Sequence, residues 1–147
     1  MKTLDIPLST GPVRPDSDEH YVLTLCEQII GLRSLRQYAF DWLRADPDAR
    51  GSRRRLPVDA YWPERSLVAQ YFEGAIRPLA EIEGEALSDR TRQRLAYDER
   101  RRTQLALYGI QLVEISSEQL AHRRTRLLRD DVHDRIVLEP ILTAAMP

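Results

Sequence analysis

A chain of 147 residues with 42% hydrophobic content is long enough to bury the core of one domain. Its 22 basic and 23 acidic residues give a net charge of −1, so no overall charge attracts the protein to nucleic acid or to anionic lipid. The single cysteine, Cys26, excludes an internal disulfide and a multi-cysteine zinc site, and no Gly-x-Ser-x-Gly or nucleotide-binding glycine motif occurs. Because neither a signal-type segment nor an apolar run of roughly 18 residues is present, we expect a cytoplasmic protein with no membrane partner.

The first 16 residues differ in composition from the rest of the chain. They contain three prolines and one glycine with little periodicity, which predicts an irregular N-terminal arm before a single domain over residues 17–147. Asp16 and Glu19 then form a capping-box pattern, and apolar residues recur at helical spacing until Gly31. We therefore predict that the domain begins with an amphipathic helix that ends at Gly31.

Three strand-like segments follow this helix. Residues 36–43 alternate in part and are rich in aromatic side chains, and a cluster of turn residues occupies positions 46–52. Segments 55–62 and 66–73 are separated by only three residues, 63–65, a connection that suits an antiparallel hairpin. The pattern predicts one strand followed by a two-stranded hairpin.

The next segment predicts a long helix and a fourth strand. An acidic, glycine-containing loop is expected over residues 74–88, and a helix over residues 88–108 with Gly109 as its stop. Residues 110–115 have an apolar majority that is typical of a strand.

The C-terminal segment predicts one more helix. Ser116 and Gln119 form a capping-box pattern, so we expect a helix through about Arg129, with residues 132–142 as an extension that Pro140 interrupts. The predicted order of elements is thus α-β-β-β-α-β-α, which is an α/β class.

Two stretches of the chain resemble a known superfamily. Residues 56–73 read Leu-Pro-Val-Asp-Ala-Tyr-Trp-Pro-Glu-Arg-Ser-Leu-Val-Ala-Gln-Tyr-Phe-Glu and resemble the metal-binding hairpin of the PD-(D/E)XK, or restriction-endonuclease-like, superfamily. Residues 97–115 read Tyr-Asp-Glu-Arg-Arg-Arg-Thr-Gln-Leu-Ala-Leu-Tyr-Gly-Ile-Gln-Leu-Val-Glu-Ile and resemble a stretch of its small Vsr-like endonuclease domains. The resemblance covers roughly residues 17–122 and implies a restriction-endonuclease-like core, a central mixed four-stranded sheet flanked by helices.

The resemblance also implies where a metal site should be. Asp59 corresponds to the first metal ligand, Glu27 on the first helix to an auxiliary acid, and position 70 to a second acidic ligand. Here Gln70 offers a carbonyl oxygen without charge, and Phe72 replaces a lysine that would orient water or stabilise negative charge. We therefore expect a degenerate catalytic site with no cofactor, or with Mg²⁺ if the site is active.

Glu73 is the candidate for replacing the lost acid at position 70. Side chains alternate along a strand, so Gln70 and Phe72 share one side while Glu73 points to the other. Glu73 would complete a catalytic set with Asp59 only if a β-bulge near Tyr71 or Phe72 turned it around.

The arginines of the chain form two clusters. Arg100, Arg101 and Arg102 are candidates for contacts with a nucleic-acid backbone, but neighbouring acids favour instead a solvated face of ion pairs. A second cluster, over residues 123–129, is likewise followed by acidic residues.

These patterns support three hypotheses about function. The first is a nuclease-like domain, catalytically weak or inactive, that binds DNA or a protein partner. The second is an active Mg²⁺-dependent DNA endonuclease that uses Asp59, Glu27 and a repositioned Glu73. The third is a structural or interaction protein with no nucleic-acid role, in which the arginine clusters are ordinary surface. Asp59 has its own alternative interpretation, as a strand-end residue bonded to a neighbouring loop. The oligomeric state stays open.

Overall fold

The fold is given by a computed structural model of the protein, which describes residues 16–146. The N-terminal arm predicted over residues 1–16 lies almost entirely outside the described residues. In chain order the elements are α1 (Asp18–Ile30), β1 (Leu35–Arg44), β2 (Arg55–Trp62), β3 (Leu67–Phe72), α2 (Asp89–Leu107), β4 (Gln111–Ser116), β5 (His122–Arg123), β6 (Arg126–Leu127) and α3 (Asp131–Ala145).

Helix α1 begins one residue later than the predicted cap. The Ser17 hydroxyl accepts a hydrogen bond from the backbone N–H of His20 at 3.1 Å, so Ser17 rather than Asp16 caps the helix. The helix ends at Gly31, whose φ of 83° is a left-handed conformation that glycine adopts without steric cost. The predicted amphipathic helix is therefore confirmed, with a corrected N-cap.

The main sheet has the strand order β1-β2-β3-β4. Strands β1, β2 and β3 are antiparallel neighbours because short connections join them, and a single 3₁₀ turn at Pro63–Arg65 links β2 to β3. Strand β4 pairs parallel to β3, since the chain crosses over through α2 before it returns to the sheet. The predicted α/β class and the mixed four-stranded sheet are confirmed.

Helices cover both faces of this sheet. Helices α1 and α3 pack on one face in a cluster with Trp62, Leu67 and Ile115, which we call the α1–α3 cluster. Helix α2 packs on the other face, where Leu105 lies in a cluster with Val58, which we call the α2 cluster.

The regular alternation of side chains between the two faces of the sheet is interrupted at Gln37 and Asp59. Residues two apart in a regular strand share a side. Yet Val58 belongs to the α2 cluster and Ala60 to the α1–α3 cluster. The pairing of β1 with β2 places Gln37 opposite Asp59, and Gln37 has a φ of 49°, outside the extended region. The irregularity therefore lies in both strands and places Asp59 between the two helical layers.

The helix predicted from Ser116 to Arg129 is wrong. The capping box at Ser116 and Gln119 is present, but it closes only a 3₁₀ turn. Residues 122–126 provide no apolar side chain that a helix could bury, so propagation of a helix has no packing to support it. The chain instead forms the β5–β6 hairpin, and the last helix starts at Asp131.

Helix α3 continues through Pro140 instead of ending there. Proline removes the hydrogen bond to the carbonyl four residues earlier, at Ile136. Both Pro140 and Ile136 are exposed, so water can satisfy that carbonyl. Across residues 16–146, no helix combines the length and the apolar composition that crossing a membrane requires.

Candidate functional site

Asp59 lies on β2 and Gln70 on β3, the two strands of the predicted hairpin, and the register of these strands places them opposite each other. Regular pairing of these strands stops at Ala60 and Ala69, and beyond it two side chains bond the backbone. The Asp59 N–H donates to Gln70 Oε1 at 2.6 Å, and the Tyr71 N–H donates to Asp59 Oδ2 at 2.8 Å. The strands thus open at Asp59, and the two side chains satisfy backbone donors that the ladder no longer pairs.

Gln37 joins Asp59 to a second carboxylate, Glu19 of α1. The Gln37 amide nitrogen donates to Glu19 Oε2 at 2.9 Å and to Asp59 Oδ1 at 3.2 Å. An amide nitrogen carries two hydrogens, so one group serves both carboxylates. The left-handed backbone of Gln37 is a strained conformation for a residue with a Cβ, and such strain is typical of functional sites.

The two carboxyl groups repel each other and hold protons more tightly than usual. Burial, and then the charge of Asp59, raise the pKa of Glu19 to about 7, against the hydrogen bond from Gln37. Burial likewise raises the pKa of Asp59, while the Tyr71 N–H, the Gln37 amide and the charge of Arg101 oppose it. At neutral pH the pair therefore carries less than its full charge of two.

Glu27 does not face Asp59, which corrects the predicted position of the auxiliary acid. Its Oε2 atom accepts hydrogen bonds from the Ser34 N–H at 3.0 Å, from the Ser34 hydroxyl at 2.6 Å and from Arg36 Nε at 3.0 Å. Burial favours its neutral form, but these bonds outweigh burial and lower the pKa of Glu27. Glu27 fastens α1 to the start of β1, and Glu19, two helical turns earlier, is the acid that reaches the site.

Glu73 does not replace the acid at position 70, which corrects the bulge hypothesis. Strand β3 ends at Phe72, and its pairing with β4 keeps one register over all six residues. Glu73 follows the strand as an exposed residue, whereas Gln70 is only 7% exposed. The side chain available for a second ligand is therefore the neutral amide of Gln70.

The donor set does not fit a Mg²⁺ site as it is arranged. Mg²⁺ requires several anionic or water oxygens in an octahedron. Both oxygens of Asp59 and the oxygen of Gln70 already accept protein hydrogen bonds, and Gln37 lies between the two carboxylates. In the described part of the chain, no three His, Cys, Asp or Glu side chains are grouped so that they could hold a metal ion.

The arginines at 100–102 are engaged inside the protein. Their side chains bond carbonyl oxygens and carboxylates of β1, β2, β4 and α2, and Arg101 also lowers the pKa of Asp59. The partners are Arg44 O and Asp46 for Arg100, Pro57 O and Asp98 for Arg101, and Glu99 and Glu114 for Arg102. These contacts match the interpretation as a face of ion pairs, because the guanidinium groups are already used.

Sequence reasoning missed Glu19 and Gln37. The sequence marks Glu19 only as a capping residue, and no side-chain pattern marks Gln37. The register of β1 against β2 is the signal that identifies Gln37, because the neighbouring pairs, Arg36 with Ala60 and Tyr38 with Val58, place position 37 opposite position 59. Helix geometry is the corresponding signal for Glu19: it is an acid on the same helix as Glu27, eight residues earlier and roughly 12 Å away along the axis.

Comparison of the chain with models of protein families, with curated proteins and with solved structures found no match. The site is therefore defined by its own geometry, a pair of carboxyl groups from α1 and β2 that a glutamine of β1 bridges and an amide of β3 borders.

Proposed function

We propose that the protein is a restriction-endonuclease-like domain that binds DNA and no longer hydrolyses it efficiently. One observation carries the proposal: the Gln37 amide bridges Glu19 and Asp59 at 2.9 and 3.2 Å, between the two acids that a metal ion would join. A neutral donor holds the carboxylates together in place of a cation.

The order of elements supports the relationship to nucleases. The expected core is a helix, a meander of three strands, a helix and a fourth strand, and α1, β1–β3, α2 and β4 follow that order. Asp59 lies at the opening between β2 and β3, where the resemblance puts the first ligand.

The chemistry of the site argues against efficient hydrolysis. Phosphodiester cleavage needs a metal ion that polarises the phosphate and activates water. Gln70 supplies no charge, its oxygen is bonded to the Asp59 backbone, and Phe72 provides no cation or proton. A domain with this site retains the scaffold of a nuclease without the groups that perform the reaction.

A reversal experiment tests this account. Gln70→Glu with Phe72→Lys restores the acid and the cation, and the new carboxylate keeps an oxygen that accepts from the Asp59 N–H. We expect this variant to bind Mn²⁺ by titration calorimetry and the wild-type protein to bind it at least about tenfold more weakly, because the third carboxylate completes the donor set. Glu73→Gln is the matched control, since Glu73 is exposed and lies outside the site.

Cleavage assays complete the test. The wild-type protein should bind duplex DNA at low salt and leave supercoiled plasmid intact with Mg²⁺ or Mn²⁺. Metal-dependent cleavage that disappears in Asp59→Ala would establish an active nuclease instead. A folded double variant with no gain in Mn²⁺ affinity would remove the nuclease-derived account.

A protein partner is the second candidate, because α3 and the segment before it present apolar side chains to solvent. Val132 and Ile136 are 71% and 67% exposed, and their spacing of four places them on one side of α3. Leu128, in the segment before the helix, is 63% exposed. Sedimentation velocity over a range of protein concentrations tests whether a second copy of the chain covers them.

A further inference from the structure

The β5–β6 hairpin presents arginines that have no partner among the described residues. Arg123, Arg124 and Arg126 are exposed, and within residues 16–146 no hydrogen bond or ion pair engages their side chains. By contrast, the side chains of residues 100–102 all bond acids or carbonyl oxygens. Of the two clusters, the hairpin is therefore the one whose guanidinium groups are available to an external anion.

The hairpin is built at a cost to its own stability. Arg123 pairs directly with Arg126 across the two strands, and like charges opposite each other repel. Arg124 has a φ of 60° in the turn, where glycine or asparagine would be less strained. Both features are unfavourable in the isolated protein, and a bound polyanion would relieve the repulsion.

The base of the hairpin is nevertheless firmly held. The Leu127 N–H donates to Asp18 Oδ2 at 3.0 Å, and Arg129 Nε donates to Asp18 Oδ1 at 3.0 Å. Leu127 is buried in the α1–α3 cluster. An anchored base with an exposed basic tip is suited to holding a ligand in a defined place.

The hairpin also lies near the start of α1, the helix that carries Glu19. Its anchor, Asp18, is the residue before Glu19 in the first turn of α1. At the tip, the Thr125 methyl group lies 3.8 Å from where a Cβ on Gly74 would be, two residues beyond the end of β3. The arginines therefore border the end of the sheet at which α1 begins and β3 ends.

We propose that the β5–β6 hairpin contacts the phosphate backbone of duplex DNA and positions it across the Glu19–Asp59 site. Guanidinium groups match phosphate oxygens in geometry as well as charge. Residues in an antiparallel pair are about 5 Å apart, so Arg123 and Arg126 with their long side chains reach neighbouring phosphates. This inference rests on the proposed DNA-binding function, which gives the polyanion its identity.

The test compares two variants that remove equal charge. Arg124→Gln with Arg126→Gln alters the hairpin, and Arg33→Gln with Arg65→Gln alters two exposed arginines at the opposite end of the sheet. Binding to a labelled duplex is measured by fluorescence anisotropy between about 50 and 200 mM salt. We expect the hairpin variant to lower the slope of log affinity against log salt by about 1.8 and to weaken binding at least about tenfold, because two phosphate contacts are lost. The control variant should keep the wild-type slope.

Arg124→Gly separates a binding role from a folding role. Glycine relieves the left-handed strain, so we expect this variant to unfold at the same or a higher temperature than the wild type while it binds DNA more weakly. Weaker binding together with a lower unfolding temperature would contradict the assignment, because loss of structure would then explain it.

The outcomes distinguish this inference from the proposed function. If the wild-type protein binds no duplex DNA at low salt, the proposed function fails. If it binds DNA but the hairpin variant behaves like the control variant, the hairpin inference alone is overturned. Binding to vesicles that contain phosphatidylserine, lost in the hairpin variant while DNA binding stays unchanged, would assign the arginines to a lipid surface instead.

Discussion

The neutral side-chain amide of Gln37 offsets the repulsion between the carboxyl groups of Glu19 and Asp59. Glu19 and Asp59 come from α1 and β2 and approach the same amide nitrogen. Burial raises the pKa of both acids, and the charge of Asp59 raises that of Glu19 further, so folding takes up protons that the unfolded chain would release. The stability of the protein should therefore depend on pH near neutrality.

Glu19→Gln tests this dependence at the level of one residue. The pKa of Glu19 is raised from 4.5 to about 7, so the folded protein binds more protons than the unfolded chain between these values. Its stability then falls as pH rises through that window. We expect the free energy of unfolding of Glu19→Gln, relative to that of the wild type, to be higher at pH 8 than at pH 5 by on the order of 1 to 2 kcal/mol. Urea unfolding at both pH values measures it.

Glu27→Gln is the control for this prediction. The pKa of Glu27 is lowered, so its contribution is present above its ordinary pKa and is lost only as pH falls. This variant should be less stable than the wild type by a similar amount at pH 5 and pH 8. If the free energies of unfolding of Glu19→Gln and the wild type differed by the same amount at both pH values, folding would not raise the pKa of Glu19.

At the level of elements, Asp134 joins the two helices of one layer to the segment before the hairpin. Its side chain is fully buried in α3, accepts from the Tyr21 hydroxyl of α1 at 2.6 Å, and accepts from the Ala121 N–H at 3.0 Å. A buried carboxylate with two donors stabilises the arrangement because each donor would otherwise be buried without a partner.

Asp134→Ala should therefore be strongly destabilising. We expect it to lower the free energy of unfolding by about 3 kcal/mol, and Tyr21→Phe, which removes one of the two bonds, by about 1 kcal/mol. In the double variant the total loss should be smaller than the sum of the two single losses, since they share one interaction. If Asp134→Ala costs no more than Tyr21→Phe, Asp134 does not hold the segment before the hairpin in place.

At the level of the whole molecule, the arginines divide into those with partners inside the protein and those exposed at its surface, according to where the fold places them. Arg102 donates to Glu114 at 2.8 Å and to Glu99 at 3.1 Å, and so connects α2 to β4. Burial raises the pKa of Glu114, and the charge of Arg102 opposes that rise. The helix α2 is thus fixed to the sheet by charges that are unavailable to DNA.

Arg102→Gln should consequently affect stability and not DNA binding. We expect a loss of about 1 to 2 kcal/mol in the free energy of unfolding, because Glu114 remains half-buried without its cation. The salt slope of DNA binding should stay within about 0.3 of the wild type, since no phosphate contact is removed. Arg90→Gln, at an exposed position of α2, is the control for stability. A fall in the slope with unchanged stability would assign Arg102 to the proposed DNA-binding surface.

Local patterns in the sequence were sufficient for most of the elements. Apolar spacing and Gly31 predicted α1, the three-residue connection predicted the β2–β3 hairpin, and this pairing placed Asp59 opposite Gln70. The capping box at Ser116 predicted a helix that does not form, because a cap satisfies the first donors of a helix and cannot supply packing for its later turns.

The composition of the site was decided only by the tertiary structure. Helical spacing places Glu19 and Glu27 about 80° apart around α1 but does not say what either one meets. Only the docking of α1 on the sheet brings Glu19 to Gln37 and Glu27 to Arg36. Likewise, the sequence contains many arginines of equal chemistry, and the fold alone determines which of them meet internal acids. The identity of a residue is a property of the chain, but its partner depends on contacts between residues far apart in sequence, which local patterns do not encode.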